Sequence, residues 1–129
     1  MIKTPTQKKI YDLEERTALF GEQAIKFAKL IPKNAVTLPM ISQFVRSATS
    51  IGANYCEADC AESKKDFIHK MGICNKEAKE TSHWLRMVAQ AVPELHSNVS
   101  VLKQEAKELQ LIFLTIIKNT KVNIGKDAT

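Results

Sequence analysis

Glycine and proline are scarce in this chain, with four of each among 129 residues. Residues that break helices therefore punctuate it rarely, and long uninterrupted helices are open to it. Aromatic residues make up 6% of the sequence, which leaves little material for base-stacking platforms. The three cysteines, Cys56, Cys60 and Cys74, are an odd number and do not form a disulfide framework; they fit a reducing compartment. No apolar run approaches the roughly 20 residues that cross a bilayer. The first ten residues are polar from the outset and resemble neither a signal peptide nor an amphipathic transit sequence, so a cytoplasmic, membrane-free protein is expected. Internal repeats and low-complexity segments are absent too, as are a G-x-S-x-G elbow, a phosphate-cradling glycine loop and a dinucleotide fingerprint.

What is present is ordinary globular material: 44% hydrophobic and 26% charged residues, in a chain long enough for one domain with its own core. Nineteen Lys and Arg against fourteen Asp and Glu leave a formal charge of +5. That balance attracts polyanions in a general way without naming one.

The apolar residues fall into four series with alternating steps of three and four, the mark of one helix face. The first is Ile10, Leu13, Thr17, Phe20, Ala24, Phe27, Ile31, with Thr17 out of character. Thr4, Pro5 and Gln7 supply its N-terminal signals, and Pro32-Lys33-Asn34 stops it. The second is Ile41, Phe44, Ala48, Ile51, Tyr55, Ala58, with Pro39 near its first turn. Beside it runs a row of small residues, Thr49, Gly52, Cys56, Cys60, expected to be a buried, close-packing face. Ser63 with Asp66 caps a third helix, whose stripe is Phe67, Met71, Cys74, Ala78, Thr81, Leu85, Val88. The fourth starts near Pro93 or Ser97 and carries Val99, Leu102, Ala106, Leu109, Phe113, Ile116, Thr120, with Gly125 and a polar tail ending the chain. The spacing predicts helices over about residues 5–31, 39–57, 63–91 and 94–120 of a single all-α domain. Isolated helices gain little from propensity alone, and short connections force neighbours antiparallel. The expected fold is an antiparallel up-down-up-down four-helix bundle. Asp12→Arg16, Glu22→Lys26 and Asp66→Lys70 are favourable pairs one turn apart.

Metal and nucleophile chemistry find little support. Glu80 and His83 match one Glu-x-x-His element of carboxylate-bridged metal bundles, but such sites need two elements and two further glutamates. Cys56 and Cys60 stand one turn apart without the second pair that structural zinc takes. Cys74 lies in a core stripe, where a reactive thiol does not belong. No enzyme activity, metal or cofactor is expected.

One polar pattern stands out. Lys65, His69, Gly72, Lys76, Lys79, His83, Arg86 and Gln90 follow the same three/four rhythm, rotated away from the core stripe of the third helix. Such a row spans about 30 Å at 1.5 Å per residue and suits a phosphate backbone. Lys65, His69, Lys76, Lys79, His83 and Arg86 are the candidate nucleic-acid contacts, with Glu77 and Glu80 close enough to dilute the potential. An acidic protein partner is the alternative. A neighbouring row holds Trp84 and Met87, placed to widen the core or anchor a subunit contact. On the second helix Arg46, Ser50, Asn54 and Glu57 form a polar row, read as bonded between helices or between subunits.

The run Ile41-Ser42-Gln43-Phe44-Val45-Arg46-Ser47-Ala48-Thr49-Ser50-Ile51-Gly52-Ala53-Asn54-Tyr55-Cys56-Glu57-Ala58 resembles the arginine…serine-isoleucine…asparagine…glutamate motif of the bacterial four-helix bundle family, also called the 23S ribosomal RNA intervening-sequence protein family. Leu13 to Thr17, Leu30 to Asn34, Ser63 to Ile68, Lys76 to Glu80 and His83 to Arg86 extend the resemblance over nearly the whole chain. It implies an antiparallel four-helix bundle assembled as a homopentamer, with Arg46, Ser50, Asn54 and Glu57 as structural or inter-subunit motif residues. Some relatives are encoded inside ribosomal RNA genes. Others partner a reverse transcriptase in diversity-generating retroelements and contact nucleic acid. The family motif commonly ends in Glu-Gly, whereas here Glu57 is followed by Ala58, which leaves the exit of the second helix open.

Overall fold

The computed structural model describes residues 12–128. Among these residues four α-helices follow one another: α1 (Leu13–Ala28), α2 (Thr37–Asp59), α3 (Lys64–Ala91) and α4 (His96–Ala128). A single 3-10 turn, Pro93–Leu95, joins the last two. No strand occurs among the described residues, and no helix there is long and apolar enough to cross a membrane. The helices form an antiparallel all-α bundle in which α2 packs between α1 and α3, and α3 between α2 and α4.

Each boundary has a local cause. The signals assigned to Thr4, Pro5, Gln7 and Ile10 lie outside the described residues. At its other end α1 stops at Ala28, three residues before Ile31. Leu30 N–H and Ile31 N–H bond to Phe27 and Ala28 carbonyls, tightening the last turn so that Ile31 still reaches the core. Asn34 then starts the next helix: its Oδ1 accepts from the N–H groups of Val36 and Thr37, both at 2.9 Å, and its own N–H donates to Thr37 Oγ1. Helix α2 therefore opens at Thr37, two residues before Pro39. Proline in a first turn loses only an N–H that has no intrahelical partner anyway. Ala58 does not end α2; it is buried, and the helix continues to Asp59. Ser63 Oγ accepts from Asp66 N–H at 3.0 Å to start α3, a cap worth about 1 kcal/mol. Gly125 does not terminate α4, for it lacks the positive φ of a helix-ending glycine.

The core is built from the four stripes: Phe20, Ala24 and Phe27 from α1, Phe44, Ala48 and Ile51 from α2, Met71, Ala78 and Leu85 from α3, and Val99, Leu109 and Phe113 from α4. Phe27 and Phe44 meet edge to face at 5.7 Å. Thr17 is tolerated among them because its hydroxyl donates to Leu13 O, one turn back, at 2.7 Å. At α1–α2 the backbones come close: a Cβ on Gly52 would stand 3.4 Å from Thr17 backbone atoms. The close-packing row ends there. Cys56 and Cys60 are exposed, contrary to the buried face expected of them. Cys56 borders a shallow groove with Glu14 and Ala18, and Cys60 stands at the C-terminus of α2. Helices α1 and α4 touch only lightly, and Arg16 joins them with Nε and Nη2 donating to the two carboxylate oxygens of Glu105 at 2.7 and 2.8 Å.

Candidate functional site

The outer face of α3 follows from its register. Met71, Cys74, Ala78, Thr81, Leu85 and Val88 are buried. Lys65, His69, Lys76, Lys79, His83 and Arg86 each lie two positions from a member of the α3 stripe, about 200° round the helix. All six are exposed, as is Gln90, while Gly72 is half-buried within the row. One continuous helix thus brings every cation named from the sequence onto one side of the bundle.

The carboxylates that border this row point elsewhere. Arg46 of α2 donates through Nη1 to Glu77 Oε2 at 3.0 Å and through Nη2 to Glu80. Glu77 is 7% exposed, so its charge is withdrawn from solvent against a guanidinium. The diluting effect expected of Glu77 and Glu80 is therefore directed to the α2 side and offset there by Arg46. Glu80 does not turn toward His83, whose ring packs edge to face on Trp84 at 5.1 Å. Among the described residues no cluster of three or more His, Cys, Asp or Glu is arranged to hold a metal ion.

The polar row of α2 is bonded within this chain. Ser50 Oγ donates to Arg46 O at 2.6 Å, and Asn54 Nδ2 donates to Ser50 O at 2.8 Å. Glu57 meets Lys70 of α3 at 3.5 Å. Beneath the row, Thr81 Oγ1 bonds Ser47 Oγ at 3.0 Å and Glu77 O at 2.8 Å, a buried polar link between α2 and α3. Cys74 lies fully buried with Sγ 3.7 Å from Ile51 O, and burial pushes its thiol up to about 12. It is an inert core group rather than a nucleophile. Trp84 and Met87 are half-buried, and Trp84 packs against the core. Its Nε1 is shielded from solvent and has no partner among the described residues.

The sequence reading missed a second set of cations. Between α3 and α4 runs a groove of about 520 Å³, lined by Ser82, Ser100, Lys103, Gln104, Lys107 and Gln110. One end is tied by Gln110 Nε2 donating to Asn75 Oδ1 at 3.3 Å. Lys103 and Lys107 stand one turn apart, the signal that would have found them. In sequence they alternate with Glu105 and Glu108, which hid the pattern. In space the two acids face Arg16 on the α1 side, and the lysines face α3.

Residues 10–115 match the model of the family described as 23S rRNA-intervening sequence protein. The chain belongs to this family. Among solved structures, this family member is similar to a protein with unknown function from the S23 ribosomal protein family of Bacteroides thetaiotaomicron, at 30% identity and a TM-score of 0.78 over 85% of this chain and 98% of that one. A comparison with curated proteins finds no match. Within the 23S rRNA-intervening sequence family motif as it stands here, Arg46, Ser50 and Asn54 form a ladder along one face of α2, and Arg46 and Glu57 each reach α3.

Proposed function

We propose that this chain is a non-enzymatic scaffold protein of the cytoplasm that binds nucleic-acid backbone through the outer face of α3, as a homo-oligomer. The observation that carries the reading is the alignment of Lys65, Lys76, Lys79 and Arg86, with His69 and His83 between them, all exposed and opposite the core. A rigid helix holds those donors at a fixed pitch before any ligand arrives, so little ordering cost falls on binding. Phosphates accept from lysine and arginine whatever the base, and the row contains no Phe, Tyr or Trp on which a base would stack. Recognition is therefore of backbone and charge, RNA or DNA alike, and falls steeply with salt.

Assembly from several copies, a pentamer by family resemblance, is part of the same proposal. It is supported by apolar side chains left exposed on α1, Leu19 and Ile25, and on α4, Val101, Leu111, Leu114 and Val122. Light scattering at working concentration tests it, with a mass of several chains expected and a monomer mass opposing it. Affinity for RNA and DNA against salt, for wild type and a Lys65/Lys76/Lys79/Arg86→Glu variant, tests the interface. A stable acidic protein partner that survives nuclease treatment, with no nucleic-acid affinity in the purified chain, would replace nucleic acid by protein as the ligand of this face.

A further inference from the structure

We infer that the groove between α3 and α4 is a track for a single nucleic-acid strand, an inference that rests on the nucleic-acid reading of the α3 face. The groove is lined by two lysines, two serines and two glutamines, with no carboxylate among them. Serine hydroxyls and glutamine amides donate to phosphate oxygens as lysines do, so all six lining groups suit an anion. Lys103 is half-buried and Lys107 is exposed.

The opposite wall carries its own cations. Lys79 and Arg86 stand one turn either side of Ser82 on α3, exposed just outside the lining of the groove. The antiparallel register set by Asn75 and Gln110 brings Lys79 near the level of Lys107 and Arg86 near that of Ser100. Two rows of positive charge thus face one another over a polar floor.

Width selects the ligand. The groove is a recess of about 520 Å³ between two packed helices, which one phosphodiester backbone can enter and a duplex cannot. Along the groove, Lys103 and Lys107 are separated by about 6 Å of helix rise, close to the step between successive phosphates of one strand. A duplex meets the outer row of α3 only; a single strand engages both rows.

The test is binding of homopolymer single-stranded RNA and of a blunt RNA duplex, each against salt. The full chain is compared with Lys103→Gln/Lys107→Gln and with Lys65/Lys76/Lys79/Arg86→Glu. For single strands the groove variant is expected to lower the magnitude of the log affinity–log salt slope by about 1.4, two contacts at about 0.7 each, while duplex binding is unchanged. Unchanged circular dichroism and melting show that the glutamine variant is folded. Single-strand binding unaffected by the groove variant but lost in the α3 variant overturns the groove inference and leaves the α3 reading standing. An equal loss for single strand and duplex overturns strand selection. No binding by wild type sinks both.

Discussion

Arg46 on α2 and Glu77 on α3 form an ion pair at 3.0 Å in which the acid is almost wholly buried and the base is half exposed. The arrangement gives the family-motif arginine a structural contact: it closes a seam between two helices. Removing Arg46 leaves a carboxylate in the seam without its strongest donor. Arg46→Ala is expected to lower stability by about 1–3 kcal/mol in urea unfolding. Adding Glu77→Gln to that variant should recover more than half of the loss. Strict additivity of the two changes would show that the pair is not coupled.

The three thiols differ in burial and hence in chemistry. In the native protein a thiol reagent is expected to modify Cys56 and Cys60, which are exposed, and to spare Cys74, which reacts only on unfolding. The same burial makes stability depend on alkaline pH. The Cys74 thiol rises from 9.0 to about 12 in the fold, so between those values the unfolded chain loses a proton that the folded chain keeps. Stability therefore falls as pH climbs through this window. Cys74→Ala should remove that part of the slope, read as the difference between the two unfolding free energies at pH 8 and pH 10.5. Parallel pH profiles would contradict the assignment.

Two helical glycines separate packing from propensity. Around Gly72, on the outer face of α3, no atom beyond its chain neighbours and the local helix backbone lies within 4 Å of where a Cβ would stand. Gly72→Ala is expected to stabilise by about 0.5–1 kcal/mol. Gly52 faces the Thr17 backbone, so Gly52→Leu is expected to cost about 1–3 kcal/mol through overpacking. Thermal melting of both variants checks the opposite signs.

Much of this molecule was legible because helices write their burial in the sequence. The stripes through Phe44, Cys74 and Leu109 recur at three and four, and the same rhythm places Lys76 and Arg86 opposite the core. Boundaries were less legible. Pro32-Lys33-Asn34 reads as a stop in the sequence, yet the Asn34 side chain also starts α2 by accepting from Val36 and Thr37 N–H. Periodicity names a face but not what covers it, which is why Cys56 and Cys60 were misplaced. Nor does it show direction within a mixed run: Glu105 and Glu108 turn to Arg16, and Lys103 and Lys107 turn the other way. The Arg46–Glu77 bond spans 31 residues, and only the packing of α2 on α3 brings it about.

The central claim is that the exposed row on α3 meets phosphates. Its most direct measurement is the slope of log affinity against log salt for duplex DNA and for RNA, in wild type and in Lys65/Lys76/Lys79/Arg86→Glu. Salt-sensitive binding by wild type is expected. With each cation contributing about 0.9 to the duplex slope, loss of four contacts lowers its magnitude by about 3–4, with affinity reduced to background near physiological salt. Equal affinity and equal slopes for the two proteins would contradict it.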